Sequence, residues 1–215
     1  MAKKPNTGKA TPKEAAPTPD GDDAIVAATL EEAAAMGWRD MTLAGVAARA
    51  GMTLGDFLQE APTKAHLALR FLEEIDRRTL AAVAEPDPAD STKDRLFEVI
   101  MRRFDALNRH RDGARAIARG IARDPAAALM LTCRIEKSVA MMLAAAGIDA
   151  GGLCGLARIQ GFKAIFLSAA RAWMKDDSAD LADTMAAVDR ALIQAARLMK
   201  FLPSLRRRRE EPEAA

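Results

Sequence analysis

Residues 41–64, MTLAGVAARAGMTLGDFLQEAPTK, constrain the fold of this chain more than any other segment. Thr42 stands where its hydroxyl caps a helix, and Leu43, Val46, Ala47 and Ala50 then fall at helical spacing. Gly51 follows at once, and glycine enters a left-handed turn without steric cost. Thr53 caps a second short helix carrying Phe57, Leu58 and Ala61; Pro62 ends it and Thr63 starts a third. Two short helices pivoting on a glycine make a helix-turn-helix, the device that lays its second helix into a DNA major groove. That second helix, Thr53 to Glu60, carries Asp56 and Glu60 and neither Lys nor Arg. Backbone pattern and charge pattern therefore point in different directions, and fold and function are weighed separately.

Composition narrows the rest. At 215 residues with 50% hydrophobic content, the chain has material for one generous domain or two small ones sharing a core. Aromatics are 4% and Tyr is absent, so the core is Ala, Leu, Ile, Val and Met, a mixture that suits helices and serves sheets poorly. A net charge of +2 argues neither for nor against nucleic acid. Cys133 and Cys154 sit among apolar residues without metal or disulfide spacing and read as small buried hydrophobes. The N-terminal stretch lacks an apolar signal-peptide core, and the longest near-apolar run, Val139 to Ile148, is half a bilayer span. The expectation is a cytoplasmic protein with no membrane span.

Along the chain, residues 1–21 read as a disordered basic arm, rich in Pro, Thr, Lys and Ala. A helix is expected from Asp22 or Asp23 to Gly37, with Trp38 plugging the core of a small helical unit over 22–66. A long helix then runs from Thr63 to about Ala84, and the prolines of AEPDPADS break the chain. Five further helices are expected in a domain spanning 67–203. One carries Leu96, Val99, Ile100, Phe104 and Leu107; the others cover 114–122, 126–146, 152–174 and 178–202. Pro203 should end the last, leaving 204–215 as a disordered tail. The fold class is all-α with about nine helices.

Three short helices with a helix-turn-helix, a long connecting helix and five more resemble the TetR family of bacterial transcriptional regulators. The residues carrying the resemblance are Gly37, Thr42, Val46-Ala47, Ala50-Gly51-Met52-Thr53, Gly55, Pro62-Thr63-Lys64 and Leu67. The resemblance implies a homodimeric DNA-binding regulator, a repressor released by a small hydrophobic effector, and no enzyme. It departs in the second helix of the motif, where the family usually carries Lys, a small hydroxyl, Tyr and an aromatic; here stand Leu54, Asp56, Leu58 and Ala61. A second stretch, RAWMKDDSADLADTMAAVDRAL (Arg171 to Leu192), resembles the C-terminal part of the ubiquinone-biosynthesis accessory proteins. Those share the TetR-like fold, dimerise through it and bind isoprenoid lipid in place of DNA, which implies the alternative function.

Three constellations follow. For DNA, Thr42 and Thr53 would present hydroxyls and helix N-terminal amides to phosphates, and Lys64 would add a charge-assisted contact. Leu54, Gly55 and Leu58 would lie on the groove-facing side. Arg39, Arg49 and the lysines of the arm (Lys3, Lys4, Lys9, Lys13) would offset Asp56. For dimerisation, Ile159, Phe162, Phe166, Ala169, Ala170 and Trp173 form one stripe, and Leu181, Met185, Val188, Leu192, Ala196 and Met199 another. These would pair the last two helices across a two-fold axis. For an effector, Phe97, Met101, Phe104, Met130, Cys133, Met141, Met142 and Phe166 supply soft or flat apolar lining. His66 and His110 suggest no metal site, Gly151-Gly152 follow no strand, and no cofactor motif is present. Asp176-Asp177-Ser178 reads as a turn and helix cap.

Overall fold

The computed structural model describes residues 24–87 and 89–210, with no side chain described at 125, 126, 130 or 199–210. The described residues form nine α-helices: α1 (Ala24–Met36), α2 (Leu43–Arg49), α3 (Leu54–Glu60), α4 (Lys64–Ala82), α5 (Thr92–Asn108), α6 (Arg111–Ala122), α7 (Pro125–Ala145), α8 (Gly152–Trp173) and α9 (Ala182–Glu210). The basic arm and residues 211–215 lie outside the described residues.

Local chemistry sets most of these boundaries. The hydroxyls of Thr42, Thr53, Thr63 and Ser91 accept from the backbone N–H three residues on, and Asp124 does the same for α7 through its carboxylate. Gly51 at φ 67 closes α2: its own N–H reaches the Ala48 carbonyl and that of Met52 reaches Ala47, the paired bonds of a Schellman turn. Around this turn Val46, Ala47, Phe57, Ala61, Leu67 and Phe71 are buried with Ile25, Leu30 and Ala33 of α1, so the small unit has its own core, continuous through α4 with the rest.

The structure departs from the sequence expectation at three places. The helix α6 begins at Arg111, ahead of the expected Ala114, and contains Gly113. A Cβ added at Gly113 would overlap the Leu30 carbonyl, so this glycine permits close α1–α6 packing where a breaker was expected. The helix α9 continues through Pro203 to Glu210, past its expected end. Proline's fixed φ is itself helical and removes one N–H bond, so good helix formers on both sides carry the helix on. The cysteines are also corrected: Cys133 and Cys154 are both exposed, because each lies on the outward side of an apolar helix.

The larger domain is tied internally by a buried ion cluster. Asp76 on α4, 4% exposed, receives Arg103 of α5 at 2.5 Å, Arg134 of α7 at 2.5 Å and the Ser138 hydroxyl at 2.8 Å. The Arg103 guanidinium lies 5.5 Å from the centroid of the Phe166 ring. Burial pulls Arg103 below its usual pKa while Asp76 opposes the shift. Breaking such a cluster from one side leaves an uncompensated buried charge, which fixes α4, α5 and α7 in one arrangement.

Candidate nucleic-acid interface

The helix-turn-helix is positioned by α1 and α4. Arg49 Nε holds Glu32 of α1 at 2.5 Å, and Phe57, fully buried, roots α3 in the core. Side chains one turn away on α3 are left outside: Leu54 is 45% and Leu58 39% exposed, with Gly55, Asp56 and Gln59 also exposed. Of the residues expected to touch DNA, Thr42, Thr53, Leu54, Gly55 and Leu58 are exposed, at or after the N-termini of α2 and α3, and Lys64 is half-buried at the start of α4.

Their hydrogen bonds qualify what each can offer. Thr42 Oγ1 accepts from the Gly45 N–H at 3.0 Å. Thr53 Oγ1 accepts from the Asp56 N–H at 3.2 Å and donates to the Asp56 carboxylate at 2.7 Å. Asp56 therefore completes a reciprocal cap on α3, a role its position in the sequence signals and the DNA reading did not weigh. Glu60 is held at 3.0 Å by Arg70. Lys64 Nζ donates to the carbonyls of Trp38 at 3.1 Å and Arg39 at 2.8 Å, so its ammonium sits against the α1–α2 turn. Arg49, one expected counter-cation for Asp56, is hydrogen-bonded and ion-paired with Glu32, which lifts its pKa against the opposing effect of burial. Arg39 stays exposed.

The effector residues divide. Phe104 is fully buried and stacks on Phe166 at 5.5 Å and on Trp173 at 6.1 Å. Phe97, Met101 and Met141 are half-buried, Met142 is buried, and Cys133 faces outward. The Met130 side chain lies outside the described residues.

The stripes expected to pair two subunits lie largely inside one. Phe162, Ala169, Trp173, Leu181, Val188 and Leu192 are all under 5% exposed and close the α8–α9 contact of the protomer itself. The apolar side chains left outside are different ones: Leu153 at 88%, Leu156 at 53% and Leu167 at 41% on α8, and Leu198 at 64% on α9. Among the described residues, α8 is also the one helix long and apolar enough, by length and composition, to cross a bilayer, and only 17% of its most apolar window is buried. This stretch is longer than the Val139–Ile148 run but less conspicuous in the sequence, because polar residues such as Arg158, Gln160 and Lys163 interrupt it.

Between α8 and α9 the Asp-Asp-Ser turn is a tightly bonded knot. Asp176 is 1% exposed. One carboxylate oxygen accepts from the Ser178 N–H and hydroxyl, and the other from the Thr184 N–H at 2.8 Å and hydroxyl at 2.6 Å. Burial alone would push its pKa up, but the donors of Ser178 and Thr184 outweigh it and hold the group at about 2. Arg115 of α6 closes the turn from outside, donating to the carbonyls of Trp173 at 2.7 Å and Asp176 at 2.6 Å and to the Asp177 carboxylate at 2.9 Å.

No protein-family model and no curated protein matches the sequence. Solved structures do. A TetR transcriptional regulator from Nitrosomonas europaea ATCC 19718 is similar with a TM-score of 0.66 and 23% identity, over 80% of this chain and 96% of that one. One from Rhodococcus sp. RHA1 gives 0.62 and 19%, over 80% and 93%. A TetR-family regulator from Streptomyces coelicolor gives 0.55 and 18%, over 89% and 90%. With the helix order, the helix-turn-helix at one end and the long α4 beneath it, these likenesses give one conclusion: the chain has the all-α fold of the TetR transcriptional regulators.

Proposed function

We propose that this protein is a DNA-binding transcriptional repressor acting as a homodimer and controlled by a small hydrophobic effector. The observation that carries the reading is the exposure of Leu54, Gly55 and Leu58 on a helix-turn-helix capped by Thr42 and Thr53 at the surface. Phosphates would lie at those helix ends, and α3 would face the major groove. The second copy would cover the outward face of α8, whose Leu153, Leu156 and Leu167 are left bare in one protomer. Phe97, Met101, Phe104, Met130, Met141 and Phe166 remain the proposed effector lining. They lie on α5, α7 and α8, and α4, which supports the helix-turn-helix, is joined to α5 and α7 through Asp76. An effector that prefers one arrangement of these helices would change the spacing of the two α3 helices in the dimer. A mobility-shift titration with DNA flanking the protein's own gene tests the reading. A retarded species that weakens as salt rises is expected; no shift even at low salt would contradict it, since nonspecific attraction would then also be missing.

A second reading is a lipid-binding protein of quinone synthesis with no DNA partner. The acidic, leucine-bearing surface of α3 favours it, as does the resemblance across Arg171 to Leu192. Native mass spectrometry separates the two: co-purified isoprenoid lipid together with absent DNA binding is the result of this reading alone.

A further inference from the structure

The acidic α3 leaves open where the cations for a DNA backbone would come from. Among the described residues Arg39, Arg119 and Arg123 make no ion pair and no side-chain hydrogen bond, whereas Arg49, Arg70, Arg103, Arg115 and Arg134 are all engaged. These three exposed, unengaged arginines line a single groove of about 980 Å³. It runs between the α1–α2 turn, the start of α4 and the last turn of α6, with Trp38 and Gly120 in its wall.

Their convergence follows from packing. Gly120 meets the Trp38 side chain so closely that an added Cβ would overlap it, and Gly113, one heptad earlier, meets the Leu30 carbonyl in the same way. The two glycines seat α6 directly on α1 and bring Arg119 and Arg123 beside Arg39. Lys64 adds a fourth positive charge, although its ammonium donates to the Trp38 and Arg39 carbonyls. Three carboxylates share the groove: Asp40, Asp112, and Asp124, which caps α7 through the Ala127 N–H. The lining is therefore net positive by one charge, whereas α3 is net negative by two through Asp56 and Glu60.

We infer that this groove is a backbone-contact surface for duplex DNA, in which Arg119 and Arg123 of the effector domain, with Arg39, grip phosphates flanking the site of α3. The inference rests on the repressor reading and deepens it. Guanidinium forks suit phosphate oxygens, and such contacts hold a protein in register without reading sequence. The electrostatic attraction that α3 lacks then comes from beside it. Because Arg119 lies in the last turn of α6 and Arg123 caps its C-terminus, a shift of that helix against α1 would break phosphate contacts directly.

Fluorescence anisotropy of the full-length protein with a labelled duplex, at several salt concentrations, tests this. The variants are R119Q/R123Q, and K137Q/K175Q as a control that removes the same charge elsewhere on the surface. All four side chains are exposed and without partners among the described residues, so the fold should be unaffected, which thermal unfolding checks. The expected result for R119Q/R123Q is an affinity lower by about tenfold near physiological salt and a salt slope shallower by about two per engaged protomer. The control should keep the slope of the unaltered protein. Equal slopes for R119Q/R123Q and the unaltered protein, with DNA binding intact, would overturn this inference and leave the repressor reading standing. Absence of DNA binding by the unaltered protein at low salt would overturn both.

Discussion

Asp176, 1% exposed, lies in the turn between α8 and α9. Its two carboxylate oxygens collect four hydrogen bonds in a turn that sequence alone reads only as a cap. The folded pKa, about 2, lies below the ordinary 3.8, so the carboxylate contributes stability in full above about pH 4 and loses it as the pH falls toward 2. A shift of this size corresponds to about 2 kcal/mol. Denaturant midpoints measured between pH 7 and pH 2 should therefore fall steeply below pH 4. In an Asp176→Asn variant that acid-dependent step should shrink, with stability at pH 7 already lower by about 2 kcal/mol; an unchanged pH profile would remove Asp176 from the account. Thr42, Thr53, Thr63 and Ser91 were legible for the same reason that Asp176 was half-legible. A cap is an interaction three residues long, whereas Arg115, which closes the Asp176 turn, comes from 61 residues away.

At the scale of helices, the sequence shows that a face is apolar without showing what covers it. The stripe of Phe162, Ala169 and Trp173 has the period of a dimer seam, and in the structure it packs inside the protomer. The bare face of α8 was less conspicuous because Gly161 and Ala164 stand between Leu156 and Leu167; small residues let helices approach closely and carry little hydropathy signal. Gly113 illustrates the converse, since a glycine that looks like a breaker is required by a neighbouring backbone. If the outward α8 face is the homodimer contact, Leu156→Arg should place a charge in a desolvated seam. Light scattering after size exclusion should then show monomer where the unaltered protein is dimer, with helical content retained. A dimer surviving both Leu156→Arg and Leu153→Arg would locate the contact elsewhere.

At the scale of the molecule, the all-α class, the nine-helix order and the TetR-like fold follow from periodicity, caps and prolines together, because each element is specified locally and the hydrophobic faces leave few ways to stack. Function was less legible, since it depends on which charges remain free after folding. Lys64 and Arg49 look available in sequence and are engaged in the structure, while Arg119 and Arg123, remote in sequence, come to stand beside the helix-turn-helix. The central claim is that α3 enters a DNA major groove, and Asp56 and Glu60 test it most directly. Replacing them by Asn and Gln keeps the side-chain shapes that cap α3 and meet Arg70 while removing two negative charges next to phosphates. Each charge opposes binding by on the order of 1 kcal/mol, partly screened by salt. Anisotropy titration of the unaltered protein and the D56N/E60Q variant against the same operator duplex at low salt should show the variant binding about tenfold or more tightly, the gain shrinking as salt rises. Equal affinity of the two proteins at every salt concentration would contradict the claim, because a helix lying in the groove could not lose two anionic side chains unnoticed.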